Sequence, residues 1–185
     1  IQGPDDLSAT MWARWDSSYL YFAIAVRDNV LVADSGEAIW HDDSIELALD
    51  GAGDRMSGGP DDHRFSIRID GYFLHSGDGA DPVRAVITDT GLYTVEMAIP
   101  MSILTSSPVY TGTIMGINLG IHDDDDGGYY DTYLIWNRNS TSDASCFGRL
   151  IFYGQPPVPT VTPTPSDTPT PTLSPTVTST PTDTP

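Results

Sequence analysis

The chain contains no lysine. Its 8 basic side chains are all arginine, set against 26 acidic ones, for a formal net charge of −18 over 185 residues. A surface that neutralises phosphates needs clustered Lys and Arg, so this balance argues against nucleic acid as a partner and against an anionic membrane surface. Long apolar runs are missing too. The longest, Tyr19 to Val26, covers eight residues, whereas a spanning helix needs about 20, so no membrane insertion is expected. The N-terminus has neither a charged start nor an apolar stretch with a cleavage site, and a processed or trimmed chain is the expectation.

Cysteine is nearly absent. Cys146 alone cannot form an internal disulfide, and His41, His63, His75 and His122 are too scattered to give a zinc spacing with it. It is expected to be a small buried hydrophobe beside Phe147. Glutamate is scarce as well, and Glu46 with Glu96 is the Glu pair available for acid–base work. With no Ser/His/Asp signature, phosphate loop or metal-hydrolase motif, the chain is not expected to be an enzyme.

Proline and threonine are abundant, but at one end. Residues 156–185 hold 10 Pro, 11 Thr and 3 Ser in 30 positions, a composition that cannot build a core. An extended linker or stalk is expected there, on the order of 90 Å long at about 3.1 Å per residue, and a substrate for O-glycosylation. Asn139-Ser140-Thr141 adds an N-glycosylation acceptor pattern. What remains, residues 1–155, is enough chain for one domain.

Within that domain, period-2 alternation broken by turn residues predicts an all-β fold, a two-sheet antiparallel β-sandwich with almost no helix. Strands are predicted at 9–15, 19–27, 44–50, 63–69, 72–75, 83–88, 92–99, 113–122, 133–137 and 147–152, with one helical turn at 101–104 after Pro100. Alternation also assigns faces. Ile45, Leu47 and Leu49 point inward with Phe65, Ile67 and Ile69, with Tyr93, Val95, Met97 and Ile99, and with Met115, Ile117, Leu119 and Ile121. The opposite parity collects Glu46, Arg64, Ser66, Arg68, Glu96 and Asn118, provided their strands share a sheet. Two readings fit this set. It is either a solvated face stitched by exposed ion pairs, or a site for a neutral, hydroxyl-rich ligand met by planar guanidinium, carboxylate and amide groups. The run Asp123-Asp124-Asp125-Asp126 likewise suits either a hard cation or an acidic solvated turn, with Asp123, Asp124 and Asp125 the preferred calcium ligands.

Several segments carry a resemblance. Gly3-Pro4-Asp5-Asp6-Leu7-Ser8-Ala9, Trp15-Asp16, Tyr19 to Asp28, Ile39-Trp40-His41-Asp42-Asp43-Ser44-Ile45-Glu46-Leu47, Asp62-His63-Arg64-Phe65, Tyr93 to Pro100, Gly116-Ile117-Asn118, Asp123-Asp124-Asp125 and Phe147-Gly148-Arg149-Leu150 occur in the order found in one family. The chain resembles the carbohydrate-binding module family 9-like domains of the DOMON-like superfamily. This resemblance implies a non-catalytic, jelly-roll-like sandwich attached to secreted or cell-surface proteins, binding polysaccharide or oligosaccharide ends between two aromatic rings, with calcium bound. By the same resemblance Trp40 is the first ring and Glu46 a hydroxyl acceptor, and the outward face derived above supplies Arg64, Arg68 and Asn118 as further expected ligand contacts. Asp28, Asp42, Asp43 and Asp62 join the metal candidates because the family motifs hold acids there.

The chain also departs from that pattern. Residues 140–145, where the family has its second stacking tryptophan, contain no ring, so weak binding is expected unless Tyr129 or Tyr130 replaces it. The family's binding arginine falls at Ser66, flanked by Arg64 and Arg68. Trp136 aligns with a structural tryptophan and is expected in the core. Family members usually carry further strands before the Asp-Leu-Ser-Ala run, so an open sheet edge is expected beside 9–15. Such an edge invites strand exchange, and the alternative function is a structural subunit of an extracellular filament or surface assembly.

Overall fold

In a computed structural model of the protein, the residues described are 3, 4, 6–138 and 140–154. The Thr/Pro tail and the acceptor Asn139 lie outside them. Ten strands form two antiparallel sheets: β1 (Leu7–Trp15), β2 (Tyr19–Asp28), β3 (Ser44–Asp50), β4 (Asp62–Arg68), β5 (Phe73–Ser76), β6 (Val83–Asp89), β7 (Leu92–Pro100), β8 (Ile114–Asp123), β9 (Thr132–Ile135) and β10 (Gly148–Ile151). Each observed strand end lies within two residues of its prediction, and the short helix α1 is Met101–Leu104 as expected. One sheet runs β1-β2-β7-β6; the other runs β10-β8-β3-β4-β5, with β9 also paired to β8.

The sandwich forms because every strand offers one apolar side. Leu20, Phe22, Ile24 and Val26 of β2 and Tyr93, Val95, Met97 and Ile99 of β7 meet Ile45, Leu47 and Leu49 of β3, Phe65 and Ile67 of β4 and the four inward side chains of β8. These residues are buried, as the alternation predicts. The β6–β7 hairpin turns at Gly91, whose φ of 67° lies in the left-handed region that favours glycine.

One part of the predicted face does not hold together. Glu96 lies on β7, in the four-stranded sheet, while Glu46, Arg64, Ser66, Arg68 and Asn118 belong to the other sheet. Alternation sets which way a side chain points within its strand but not which sheet that strand joins. Glu46 and Glu96 therefore face opposite sides of the molecule and share no cleft.

The outer face of the six-stranded sheet is also far from bare. Apart from Glu46, every residue of β3 is buried, because two 3₁₀ turns, Ile39–His41 and Ala144–Cys146, and their flanking loops cover it. Ala48, which points outward, packs with Ala144 and Phe147. Cys146 is only half-buried, with its Sγ 3.6 Å from Asp143 Oδ2, because its 3₁₀ turn sits on the sheet rather than inside the core. Trp136 is 57 % exposed, correcting the expectation of a core residue: it follows β9 directly and rests its ring against Gly148 at the rim.

Candidate functional site

Trp40 and Glu46 line one groove of 260 Å³ on the covered outer face, together with Arg64, Ser66, Leu74, His75 and Ser76. Trp40 sits on the 3₁₀ turn just before β3, 44 % exposed, its ring edge-on to His41. Glu46 projects from the middle of β3 and is only 14 % exposed at its side chain. A carboxylate so placed needs many partners, and it has them. Thr141 Oγ1 donates to its Oε2 at 2.7 Å and Tyr133 Oη donates to the same oxygen at 3.4 Å, with His122 Nε2 3.6 Å away. Ser66 Oγ donates to Oε1 at 3.4 Å, and the Arg64 guanidinium stands 3.7 Å from it. Burial pushes the carboxyl up, but the nearby His122 imidazole, the Thr141 hydroxyl donor and the charge of Arg64 outweigh it and bring the pKa down to about 2. Glu46 is thus an ionised acceptor at any ordinary pH, with its neighbours holding it still.

The register on β8 explains how this cluster is assembled. Gly120 lies opposite Glu46, and a Cβ there would sit 2.3 Å from Tyr133 Oη. Glycine lets the Tyr133 ring lie across β8 and reach the carboxylate. Tyr133, His122 and Thr141 escape a reading from motifs, but the alternation of Gly116, Asn118, Gly120 and His122 on the outward parity of β8 is a visible signal that something packs over that strand.

Arg68 and Asn118 share this sheet face, but their polar atoms are engaged elsewhere. Arg68 Nη1 donates to Asp42 Oδ2 and to the Gly36 carbonyl, both at 2.6 Å, while its Nε and Nη2 donate to Asp70. It ties down the 34–42 loop that carries Trp40, because Asp42 in turn accepts the Asp34 and Ser35 amides. Asn118 is fully buried. Its Nδ2 donates to the Asn137 and Ser140 carbonyls at 2.7 Å each, and its Oδ1 accepts the Asn137 and Leu119 amides, which clamps the loop holding Thr141. Arg64 is the freest of the three cations and amides, with its side chain 38 % exposed and Nη1 donating to Ser142 Oγ.

The acidic run does not act as one ligand set. Asp123 gathers with Asp28 and Asp43 and Asp124 with Asp34 and Asp42, because consecutive residues at a strand end point to opposite sides, while Asp125, past the end of β8, joins neither group. Asp28, Asp43 and Asp123 are all buried, their carboxylate oxygens within 4.8 Å of one another. Asp28 Oδ2 and Asp123 Oδ1 have no hydrogen-bond partner. Burial pushes all three carboxyls up, Asp123 to about 7, and the charge of Asp28 adds to the rise at Asp43 and Asp123. Three buried carboxylates, two of them with an unpartnered oxygen, fit a hard divalent cation, which takes 6–8 oxygen ligands.

A family profile described as "Carbohydrate family 9 binding domain-like" matches residues 1–155. The chain belongs to this family. Related sequences occur in "Exoglucanase XynX" of Acetivibrio thermocellus, 31 % identical over 163 residues, and in "Endo-1,4-beta-xylanase A" of Thermotoga maritima, 32 % identical over 158 residues. These matches cover 84 % and 80 % of this chain but 14 % of each relative, so the chain spans about a seventh of their length. Two solved structures of a carbohydrate-binding module family 9 from Caldicellulosiruptor kristjanssonii share the fold. The cellotriose complex superposes with a TM-score of 0.74 at 21 % identity, over 94 % of this chain and 84 % of the other. The glucose complex gives 0.71 at 24 %, over 83 % and 81 %.

In this family 9 domain the ring pattern near the groove departs from a facing pair. From Trp40 a run of aromatic contacts passes through His41, Tyr129 and Tyr130 to His122 and Tyr133, with centroid separations from 4.3 to 6.0 Å. Tyr129 is exposed and packs at a tilt against His41, one ring away from Trp40.

Proposed function

We propose that residues 1–155 form a non-catalytic glycan-binding module of an extracellular or cell-surface protein, tethered through residues 156–185 as a glycosylated linker. A sugar ring lies on Trp40, Glu46 accepts its hydroxyl hydrogens, and Arg64 donates to its oxygens. Arg68 and Asn118 act as positioning residues that hold the two loops around the groove. The observation that carries this reading is an exposed indole beside an ionised, fully braced carboxylate in one groove. Such a pair meets both halves of a pyranose, its apolar face and its hydroxyl rim.

With one ring in place of a facing pair, affinity is modest, and Tyr129 is the ring that flanks the ligand. A divalent cation, calcium by chemistry, is held by Asp28, Asp43 and Asp123; it fixes β2, β3 and β8 to one another and takes no part in sugar contact. Calorimetric titration with cello- and xylo-oligosaccharides tests the reading. Covering about 60 Å² of apolar ring face is worth about 1.5 kcal/mol, so Trp40→Ala is expected to weaken binding about tenfold. Equal heats for the variant and the parent protein would overturn the assignment.

A second reading, a subunit completed by strand exchange, draws on β1. Among the described residues this strand pairs only with β2, and its inward-facing Ala9 and Ala13 are exposed. Sedimentation of the full chain tests it: assembly at micromolar concentration is expected on that reading, and monodisperse monomers would exclude it.

A further inference from the structure

The outer face of the four-stranded sheet lies on the opposite side of the sandwich from the Trp40 groove. Across it, Trp12 on β1 pairs with Ala23 on β2, which pairs with Glu96 on β7. Two positions along, Arg14 pairs with Tyr21, which pairs with Ala98. These six residues line a shallow groove of 370 Å³. The central strands contribute alanine between the larger side chains, leaving Trp12 56 % and Tyr21 37 % exposed, with the Tyr19 ring 5.9 Å from that of Tyr21. Tyr21 is held in place where its Oη donates to Asp16 Oδ2 at 2.8 Å. Among the described residues the Trp12 indole N–H, the Glu96 carboxylate and the Arg14 guanidinium have no protein partner.

An indole and a phenol ring above an alanine floor, flanked by the Glu96 carboxylate and the Arg14 guanidinium, is again the chemistry that meets a pyranose: flat apolar faces for its C–H side, planar acceptor and donor groups for its hydroxyls. Trp12 and Tyr21 are diagonal cross-strand neighbours, roughly 7–8 Å apart at Cα, so an extended chain meets both rings at once. Charge chooses between occupants. A chain of net charge −18 disfavours a polyanion here, but not a neutral polymer.

We infer that this face is a second glycan platform, one that takes a neutral polysaccharide laid across β1 and β2, with Trp12 and Tyr21 as stacking rings, Glu96 as hydroxyl acceptor and Arg14 as donor. It works independently of the Trp40 groove and lets one domain grip a polymer from two sides.

The test compares full-length protein with Trp12→Ala, Trp40→Ala, the double variant and Arg14→Ala/Glu96→Gln. Each is assayed for retention on insoluble cellulose and xylan and for cellotriose affinity, after thermal melts establish that the fold is intact. Trp12→Ala and Arg14→Ala/Glu96→Gln are expected to lower polymer retention about tenfold while leaving cellotriose affinity within twofold. Trp40→Ala is expected to retain polymer binding that the double variant loses. Unchanged polymer retention in both Trp12→Ala and Arg14→Ala/Glu96→Gln overturns this inference alone. So does a dimer that Trp12→Ala dissolves while polymer retention stays unchanged, since a second copy then covers the face. No retention and no cellotriose heat with the parent protein overturn both platforms.

Discussion

Thr141 donates a hydrogen bond of 2.7 Å to Glu46 across 95 residues of sequence, joining a loop after β9 to the centre of β3. The bond, with those of Tyr133 and Ser66, aims a nearly buried carboxylate into the groove beside Trp40. On the proposed reading, sugar recognition depends on keeping that carboxylate charged and fixed.

Glu46 carries a pH signature. Its pKa falls from 4.5 to about 2 on folding, so its stabilising contribution is complete above about pH 4.5 and is lost as pH drops through about 2. Glycan affinity is expected to stay flat from pH 8 down to about pH 4. Glu46→Gln is expected to remove it at all pH values, with a stability loss on the order of 3 kcal/mol. Calorimetry across pH checks this, and a midpoint near 4.5 in the parent protein would contradict it.

The buried trio of Asp28, Asp43 and Asp123 has the opposite sign. Their folded pKa values are raised, so without a cation no penalty exists below about pH 4, and stability falls as pH climbs towards 7 and the unfolded chain releases protons that the folded one retains. Calcium at a hundredfold excess over its dissociation constant adds about 2.7 kcal/mol, or about 5–10 °C in Tm for a domain of this size. Melts at pH 7 in EDTA and in calcium are expected to differ by that margin, and Asp43→Asn is expected to erase the difference. Identical melts would remove the metal assignment.

Asn118 is expected to matter without touching the sugar. Asn118→Ala leaves the Asn137 and Ser140 carbonyls and the Asn137 and Leu119 amides without their partner, a cost on the order of 3 kcal/mol. Hydrogen exchange is expected to rise in the 137–142 loop, and glycan affinity to fall as Thr141 leaves Glu46. Unchanged exchange in that loop would argue against the clamp.

Gly120→Ala tests the Tyr133 contact from the other side. The added methyl overlaps the Tyr133 ring, so a destabilisation of about 1–3 kcal/mol is expected, together with weaker binding. Pairing it with Tyr133→Phe, which drops only the hydroxyl, distinguishes packing from hydrogen bonding, because the phenylalanine variant is expected to bind less well with little loss of Tm.

The strands, their inward faces and the outward parity of Glu46 are legible because period-2 alternation is a local signal, whereas the place of Trp40 beside Glu46 is legible only through the family resemblance. The sheet to which a strand belongs is not local, which is why Glu96 appeared beside Glu46. Arg68 and Asn118 do share the outward parity of Glu46, but the loops that cover that parity come from distant segments whose composition does not announce where they settle. The Asp run misled for a related reason. Leaving β8, Asp123 turns into a pocket completed by Asp28 and Asp43, on strands far away in sequence, while Asp125 stays outside it. Trp136 shows that a large apolar side chain placed just past a short edge strand can rest at a rim as readily as in a core.

The four tryptophans make the central claim directly observable, since each gives one indole N–H signal in a heteronuclear spectrum. In a titration with cellotriose, the signal missing from Trp40→Phe is expected to move first and furthest, and in Glu46→Gln to stay in place. Movement of other indole signals while that of Trp40 stays still at saturating sugar would contradict a binding groove built on Trp40 and Glu46.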